Sequence, residues 1–438
     1  DKLVIVCERA VARLEPVKKV AETDEDRLVL FFQNANKAAV IADFDEKTYG
    51  SSSNQAREKR RGSLLTKWHG TSGIPLEVLT TLDSANFNPL DVPCDALRAV
   101  AYCLMISSNG CGEFVKSEVQ ESQLNGFLIA VQNEYPANPF HNFSHAIDVL
   151  ATASRNMHRG RALKFLSESQ QFVVFISAIS HDLGHPGVNN AYLIQVSHQL
   201  ALTYNDLSPL ENMHCARFFE IVAIPRTNIF AELDRKEFQD VRKVCIEVIL
   251  HTDAKKHFDM VKEVQVLYEV NSDLLSESRE SYRASDQKDF PSKDVTEVFR
   301  QTDTRQLLRK LFLHTADISN PMKPFRICRI WAWKILEEMF IQGDKELELA
   351  IPVQALNNRE KVNRPMSQVG FIEFLVAPLA FAFAKVIPPF DGCLEQLIDN
   401  AKRWQEVWVT ETQPNDDERK PVEERVAKLE KRFLGGAY

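Results

Sequence analysis

Histidine and aspartate residues recur in three separate segments of this chain, at spacings typical of a metal site. His181 and Asp182 are adjacent, His141 and His145 precede them four residues apart, and Asp317 follows far downstream. An adjacent imidazole and carboxylate can direct a nitrogen and an oxygen to one point, and residues from distant segments can complete the site. A metal held in this way makes a hydroxide at neutral pH, and its usual task is hydrolysis.

The residue types predict two cations with unequal protein support. Two imidazoles and two carboxylates, from His145, His181, Asp182 and Asp317, suit zinc, with water in an open position. Asp182 could reach a second cation with its other oxygen, and an ion with few protein ligands and several waters is typical of magnesium. A lone His-Asp dipeptide is common and indicates little by itself. Metal-dependent hydrolysis is favoured here, and structural or regulatory metal binding is the alternative.

Apolar patterning predicts the elements that must position these residues. The segment from Phe172 to Ile179 is apolar nearly all round, which predicts a buried helix that leads directly into His181. Arg326 to Phe340 is amphipathic, and its apolar stripe consists of Ile327, Trp331, Ile335 and Met339. A third apolar segment, Phe371 to Phe383, is expected to be helical and interrupted near Pro378.

Composition indicates an all-α protein and excludes several classes of function. The 438 residues include only 15 glycines, and period-two alternation is scarce. The net charge of −8 offers no basic surface for nucleic acid. We find no apolar run near the roughly 20 residues of a membrane span. The eight cysteines form no C-x-x-C pair, so reduced thiols in a cytoplasmic protein are expected, and an upstream targeting region could be missing.

Shifts in composition predict three segments. Residues 1–70 form an N-terminal extension or linker, helical in part; residues 75–410 form a compact catalytic domain; residues 411–438 form a charged C-terminal helix or tail. Four apolar residues recur along this tail at heptad-like spacing, namely Val422, Val426, Leu429 and Phe433. We expect this stripe to pack on its own domain. A short dimer helix, and hence a homodimer, is the less favoured alternative.

Five motifs in register resemble those of the class I 3′,5′-cyclic nucleotide phosphodiesterases. They are FHNFSHAIDV (140–149), HDLGHPGVNN (181–190), LEN (210–212), TADISNP (315–321) and SQVGF (367–371). Their order and spacing cover roughly residues 75–410, which makes the match specific. The resemblance implies an all-α, multi-helix catalytic domain with an HD-type metal site that holds Zn²⁺ and Mg²⁺, with Mn²⁺ as an option at the second position. It also implies hydrolysis of cyclic AMP or cyclic GMP to the 5′-monophosphate by a hydroxide bridging two metals.

The resemblance also implies roles for individual residues. His145, His181, Asp182 and Asp317 would be the metal ligands. His141 would be the general acid that protonates the leaving O3′. Four residues would order the metal-bound waters around them: His185, Glu211, Asn190 and Thr252. Four more would bind the base: Gln368 at the purine edge, Phe371 and Ile335 on its two faces, and Asn320 as a second polar contact.

Three positions depart from the family pattern without removing a predicted ligand. Phe140 replaces a frequent tyrosine, Met213 stands where a histidine is often found, and His251 stands where a small residue is common. The base also stays open, because the amide of Gln368 can turn over to meet adenine or guanine. Asn320 favours cyclic AMP, while cyclic GMP or dual use stays open. Other HD-type nucleotide phosphohydrolases and an inactive cyclic-nucleotide-binding module are the alternative functions.

Overall fold

The computed structural model describes residue 78 and residues 81–107, 110–284 and 290–434. The predicted N-terminal extension, residues 1–70, lies outside these ranges. Helices joined by short turns make up the described part of the chain, which contains no strand, so the all-α prediction is confirmed. The helices are α1 (Leu97–Ile106), α2 (Gly112–Glu118), α3 (Glu121–Glu134), α4 (Phe143–Arg159), α5 (Glu168–Ser180), α6 (Asn190–Gln195), α7 (Gln199–Thr203), α8 (Pro209–Val222), α9 (Arg235–Leu250), α10 (His257–Val270), α11 (Ser272–Ala284), α12 (Lys293–Arg300), α13 (Thr302–Asp317), α14 (Phe325–Glu348), α15 (Arg364–Phe371), α16 (Ala377–Val386), α17 (Asp391–Thr412) and α18 (Asp416–Leu434).

Helix α5 is the buried helix that the apolar pattern predicted. It begins with a capping box, in which Ser167 and Gln170 each bond to the other's backbone N–H. Every residue from Gln171 to Ser180 is buried, and each large apolar side chain contributes about 1.5–3 kcal/mol to stability by leaving water. The helix ends at His181, so its hydrophobic packing fixes where that residue lies.

Helix α4 packs against both α5 and α13, and the three share the main hydrophobic core. The N-cap of α4 is Asn142, whose side chain accepts a hydrogen bond from the backbone N–H of His145 at 3.2 Å. His145 therefore lies in the first turn of α4, whereas Asp317 is the last residue of α13. This packing brings together helix ends that are far apart in sequence.

The apolar segment around Pro378 is continuous rather than interrupted. Helix α15 passes through a π-helical turn, Ile372–Val376, directly into α16, and Pro378 lies in the first turn of α16. The widened π turn accommodates the missing N–H, so the predicted interruption was wrong. The combined helix, Arg364–Val386, is long and apolar enough to cross a membrane by length and composition, which our sequence analysis did not anticipate. Its most apolar window is 61% buried inside the protein, as in a core helix.

The C-terminal helix α18 packs on α17 and on the main core. Val422, Val426 and Leu429 are buried, and Phe433 is partly buried against the same core. The stripe packs on its own domain, as expected, and its use as a dimer helix stays an untested alternative. Helix α17 extends to Thr412, so it crosses the predicted boundary at residue 410. The domain boundaries and the homodimer stay predictions.

Buried polar groups hold the turn that follows Asp317. Asn400 on α17 is fully buried, and its Nδ2 donates to the carbonyls of Pro321 and Lys323 at 2.7 Å each. Lys323 also forms a buried ion pair with Asp148 on α4, one turn beyond His145. These contacts connect the turn to the helix that carries a predicted ligand.

We predict that Asn400→Ala lowers the free energy of unfolding by on the order of 3 kcal/mol, because two buried carbonyls lose their donor. Urea unfolding of the purified protein measures this change. Gln396→Ala is the control, since Gln396 donates to Asn400 Oδ1 from a half-buried position and should cost about 1 kcal/mol or less. Equal losses in the two variants would contradict the argument.

Candidate functional site

Four side chains from three segments bring their donor atoms together. His145 lies in α4, His181 and Asp182 follow α5, and Asp317 ends α13. One ligand atom of each lies within 4.8 Å of the others. His145 Nε2 is 3.1 Å from Asp317 Oδ1, and His181 Nε2 is 3.1 Å from Asp182 Oδ2. The structure therefore groups all four residues that the sequence analysis predicted as metal ligands.

A backbone carbonyl fixes the proton on His181. Its Nδ1 lies 2.7 Å from the carbonyl oxygen of Ala178, which can only accept a hydrogen bond, so Nδ1–H is the donor. Nε2 of His181 then faces Asp182 and Asp317, at 3.1 and 3.3 Å. An imidazole oriented by a carbonyl at one nitrogen and free at the other is the usual arrangement in metal sites.

The carboxylates keep their negative charge despite burial. Burial alone would raise the pKa of Asp317, but His181 beside it, with hydrogen bonds from His145 and His181, holds that pKa well below its ordinary value. Burial alone would likewise lower the pKa of His181, whereas Asp182 and Asp317 raise it. Anionic oxygens packed among ring nitrogens need positive charge between them. Two imidazole nitrogens and two carboxylate oxygens are a donor set that a divalent cation accepts, so these residues could hold a metal ion.

Asp182 also faces a second position through its other oxygen. Its Oδ2 joins the four-residue group, while its Oδ1 lies 3.6 Å from Nε2 of His214. Nδ1–H of His214 donates to the carbonyl of Leu183 at 2.8 Å, and burial lowers the His214 pKa to about 4. A neutral ring nitrogen and a carboxylate oxygen, both acceptors, therefore face each other. A cation or a bound water between them would satisfy both.

The sequence analysis did not predict His214. It noted the neighbouring Met213 as a departure from the family's histidine pattern and did not consider the next residue. The available signal in the sequence was its spacing: His214 lies three positions after Glu211, so the two polar residues share the buried face of α8.

His141 is paired with a buried glutamate on α14. Its Nδ1 contacts Oε1 of Glu338, and the backbone N–H groups of Phe140 and His141 donate to Oε2 at 2.8 and 3.0 Å. Burial alone would lower the pKa of His141, but the carboxylates of Glu338 and Asp182 raise it to about 9. His141 is therefore protonated at neutral pH, and its proton at Nε2 is not engaged by Glu338.

The sequence analysis also missed Glu338, which is 4% exposed. It lies seven residues after Trp331 and three after Ile335, so it interrupts the apolar stripe of α14 with a charge. A charged residue on a buried helix face is an available signal for a paired or functional group.

His185 stacks on His141, with ring centroids 3.9 Å apart and an angle of 18° between the planes. Gly187 N–H donates to His185 Nδ1 at 3.0 Å, and burial, with His141 next, lowers the His185 pKa well below its ordinary value. The ring is thus neutral beside a protonated one. Neither His141 with His145 nor His181 with His185 shares one helix, because His141 precedes α4 and His185 follows α5.

Asn190 and Glu211, two of the residues that the resemblance places around the metal-bound waters, contact each other. Asn190 Nδ2 donates to both carboxylate oxygens of Glu211, at 3.2 and 2.9 Å. Burial, and then the charge of Asp253, raise the pKa of Glu211 to about 7. Thr252 precedes Asp253, and its hydroxyl donates to the carbonyl of Ile249 at 2.8 Å. The structure therefore joins Asn190 to Glu211 and directs the Thr252 hydroxyl back to the last turn of α9.

The four predicted base-binding residues come from three elements. Gln368 and Phe371 lie on α15, Ile335 on α14, and Asn320 begins the 3₁₀ turn after α13. Ile335 packs against the cluster of Phe140, Ile327 and Trp331. Gln368 is 6% exposed, and Asn320 Oδ1 is buried without a hydrogen-bond partner. The position of Phe140 in this cluster explains why an apolar ring is tolerated there.

Tyr135 holds the backbone at Asp182. Its hydroxyl donates to the carbonyl of Ile179 at 3.0 Å and accepts from the N–H of Asp182 at 3.3 Å. Tyr135 is the C-cap of α3, so it connects that helix to the end of α5. The sequence analysis missed this residue, because a lone tyrosine before a proline carries no pattern of its own.

Comparison with known proteins gives consistent matches. A family model described as 3′5′-cyclic nucleotide phosphodiesterase matches residues 140–397. The high affinity cGMP-specific 3′,5′-cyclic phosphodiesterase 9A of Mus musculus is 33% identical over 265 residues, covering 60% of this chain and 45% of that protein. The probable 3′,5′-cyclic-AMP phosphodiesterase pde-4 of Caenorhabditis elegans is 30% identical over 332 residues, covering 74% and 46%. This chain thus spans somewhat less than half the length of these curated relatives.

Solved structures agree in fold over most of the chain. The phosphodiesterase domain of the RhoPDE fusion protein from the choanoflagellate Salpingoeca rosetta has a TM-score of 0.65 and 29% identity, covering 76% of this chain and 98% of that one. The structure of LmjPDEB1 in complex with IBMX has a TM-score of 0.63 and 26% identity, covering 80% and 97%.

We predict that Tyr135→Phe weakens metal binding about tenfold, because the Asp182 N–H loses its acceptor and the carboxylate loses its fixed position. Calorimetric titration of the metal-stripped protein with Zn²⁺ measures the affinity. Tyr268→Phe is the matched control, since it removes a phenol bonded to Ser276 on α11 at 2.7 Å, and it should leave the affinity unchanged. An unchanged affinity in Tyr135→Phe would show that the phenol does not position Asp182.

Proposed function

Because this chain belongs to the 3′,5′-cyclic nucleotide phosphodiesterase family, we propose that it hydrolyses 3′,5′-cyclic nucleotides to 5′-monophosphates. The catalytic domain would be residues 75–410, as the motif spacing predicts. The observation that carries the proposal is the convergence of four donor atoms, from His145, His181, Asp182 and Asp317, in one buried group. The protonated His141–Glu338 pair beside this group supplies the second element that such hydrolysis needs.

His141 acts as the general acid in this proposal. Its Nδ1 side is held by Glu338, so Nε2 carries the transferable proton. A pKa of about 9 keeps the ring charged at neutral pH, which allows it to protonate the departing O3′. His185 stacks on the same ring and, being neutral, does not compete for the Glu338 charge.

The residues of the metal group fit a zinc ion, with magnesium or manganese at the second position. His145, His181, Asp182 and Asp317 would hold the first ion through two nitrogens and two oxygens. Asp182 Oδ1, which faces His214, would contact the second. Glu211 and His185 would form hydrogen bonds with the water molecules on this second ion, and Asn190 would hold Glu211 in place. When bound, such cations neutralise phosphate charge and acidify water.

We favour cyclic AMP as the substrate, with cyclic GMP or dual use as the alternatives. Asn320 Oδ1 is buried without a partner, and an acceptor there suits the exocyclic amino group of adenine. Gln368 would bind the purine edge, between Phe371 and Ile335 on the two faces of the base. The relatives named above include one described as cGMP-specific and one described as a cyclic-AMP enzyme.

A cytoplasmic location is also part of the proposal. The seven cysteines in the described part of the chain are free thiols, and burial raises the pKa of the five that are buried: Cys111, Cys215, Cys245, Cys328 and Cys393. Reduced, inert thiols are typical of a reducing compartment.

The decisive experiment is turnover of cyclic AMP and cyclic GMP, side by side, after chelation and after restoration of Zn²⁺ and Mg²⁺. We expect activity that chelation removes and metals restore. Binding of a cyclic nucleotide without turnover would favour the inactive binding module. Turnover of nucleoside triphosphates alone would favour another HD-type phosphohydrolase.

We predict that Asp317→Ala and His141→Ala lose activity for different reasons. Asp317→Ala should lose the bound metal together with all turnover, because it removes an oxygen ligand from the group. His141→Ala should keep the metal and lose about 100-fold or more in kcat, the contribution typical of a general acid. Metal content by mass spectrometry and steady-state kinetics on the same samples separate the two. Full activity in either variant would refute the assignment.

We predict that Glu338→Gln shifts the alkaline limb of the pH–rate profile downwards. A general acid works only while protonated, so activity is present below the His141 pKa and lost above it. Without the Glu338 charge, burial dominates and that pKa falls from about 9 towards or below its ordinary 6.5. Glu337→Gln, a neighbour on α14 that pairs with the exposed Arg359, is the control and should leave the limb in place. An unmoved limb in Glu338→Gln would contradict the pairing.

A further inference from the structure

A second pair of histidines is buried outside the proposed mechanism. His257 begins α10 and His314 lies on α13, and both are almost fully buried. His257 Nδ1 is 2.9 Å from His314 Nε2, and His257 Nε2 is 3.1 Å from the carbonyl oxygen of Leu375. The pair thus connects three elements through two hydrogen bonds.

The protons in this chain of bonds can be placed. The Leu375 carbonyl can only accept, so His257 Nε2–H is a donor. Burial lowers the pKa of His257 and takes that of His314 to about 4, so both rings are neutral. His257 Nδ1 is then an acceptor, and His314 Nε2–H must be its donor. The remaining nitrogen, His314 Nδ1, is buried without a partner, as an unprotonated nitrogen can be.

The two ends of this series of hydrogen bonds lie next to the predicted base-binding residues and the predicted metal ligands. Leu375 belongs to the π turn Ile372–Val376, which follows Phe371 directly. His314 lies one helical turn before Asp317 on α13. A π turn displaces the helix's own ladder of hydrogen bonds, so an external donor can decide its geometry. Helix α10 also packs on α13 and α16, which gives the rings a rigid base.

We propose that His257 is a positioning residue that holds the π turn after Phe371 at a fixed place relative to the end of α13, which carries the predicted metal ligand Asp317. It would thereby set the distance between the residues that bind the base and those that bind metal. This inference rests on the proposed function for its kinetic consequence. The alternative is that His257 only fills the core, in which case its two hydrogen bonds should matter equally.

Two substitutions separate these possibilities, because each reproduces only one of the two hydrogen bonds of the His257 imidazole. The amide nitrogen of His257→Gln can reach the place of Nε2 and donate to the Leu375 carbonyl, while the contact with His314 is lost. The amide oxygen of His257→Asn can reach the place of Nδ1 and accept from His314, while the π turn loses its donor. Each variant keeps one polar contact, so a core-filling role predicts similar behaviour.

We expect His257→Asn to raise KM about fivefold with kcat within about twofold, since a hydrogen bond that places the base-binding residues is lost. His257→Gln should keep KM near that of the wild type. Metal content should be unchanged in both. Equal rises in KM, or a fall in kcat with loss of metal, would overturn the proposal.

Amide hydrogen exchange tests the same inference without turnover. Residues 368–376 should exchange faster in His257→Asn than in His257→Gln, because only the former releases the π turn. If the wild type hydrolyses no cyclic nucleotide, the proposed function fails while this comparison still decides the positioning role. If His257→Asn does not fold, ring nitrogen chemical shifts of the wild type decide instead. A proton on His257 Nδ1 rather than Nε2 would overturn the proposal.

Discussion

The site depends on charge that is kept out of water. Asp182 and Asp317 lie against His145 and His181 at the ends of apolar helices, and the two imidazoles are fully buried. Carboxylates in such surroundings are costly unless positive charge lies between them. The hydrophobic packing of α4, α5 and α13 brings the helix ends together, and a divalent cation held by the four grouped side chains would balance the resulting negative charge. The same helix packing therefore determines both the hydrophobic core and the positions of the four charged or polar side chains.

Backbone carbonyls fix the position of a proton on three of the buried histidines. Ala178 fixes the proton of His181, Leu183 fixes that of His214, and Leu375 fixes that of His257. Because a carbonyl only accepts, each contact fixes a proton on one ring nitrogen and directs the opposite nitrogen at a neighbouring side chain. His141 differs from these three, since a carboxylate rather than a carbonyl faces its Nδ1. The charges of Glu338 and Asp182 raise the pKa of His141, while burial lowers the pKa of the neighbouring His185 and His214.

Much of the fold and the metal group was predictable from sequence. The buried helix before His181 and the grouping of the four predicted ligand residues are both present. The predictions failed where a contact depends on distant segments or on local backbone geometry. Pro378 produces no break, because the preceding turn widens instead. Glu338, 197 residues from His141 in the chain, was missed for the same reason.

The sequence by itself determined the class of fold, the identity of the four grouped side chains and the family to which the chain belongs. These follow from residue types at fixed spacings, which hydrophobic burial and ligand chemistry constrain strongly. Only the tertiary structure decided which atoms meet. It placed the two oxygens of Asp182 towards different neighbours, paired Glu338 with His141, and connected His257 to the π turn. Such contacts depend on how helices pack and which rotamers fit between them, and no local pattern in the chain encodes either.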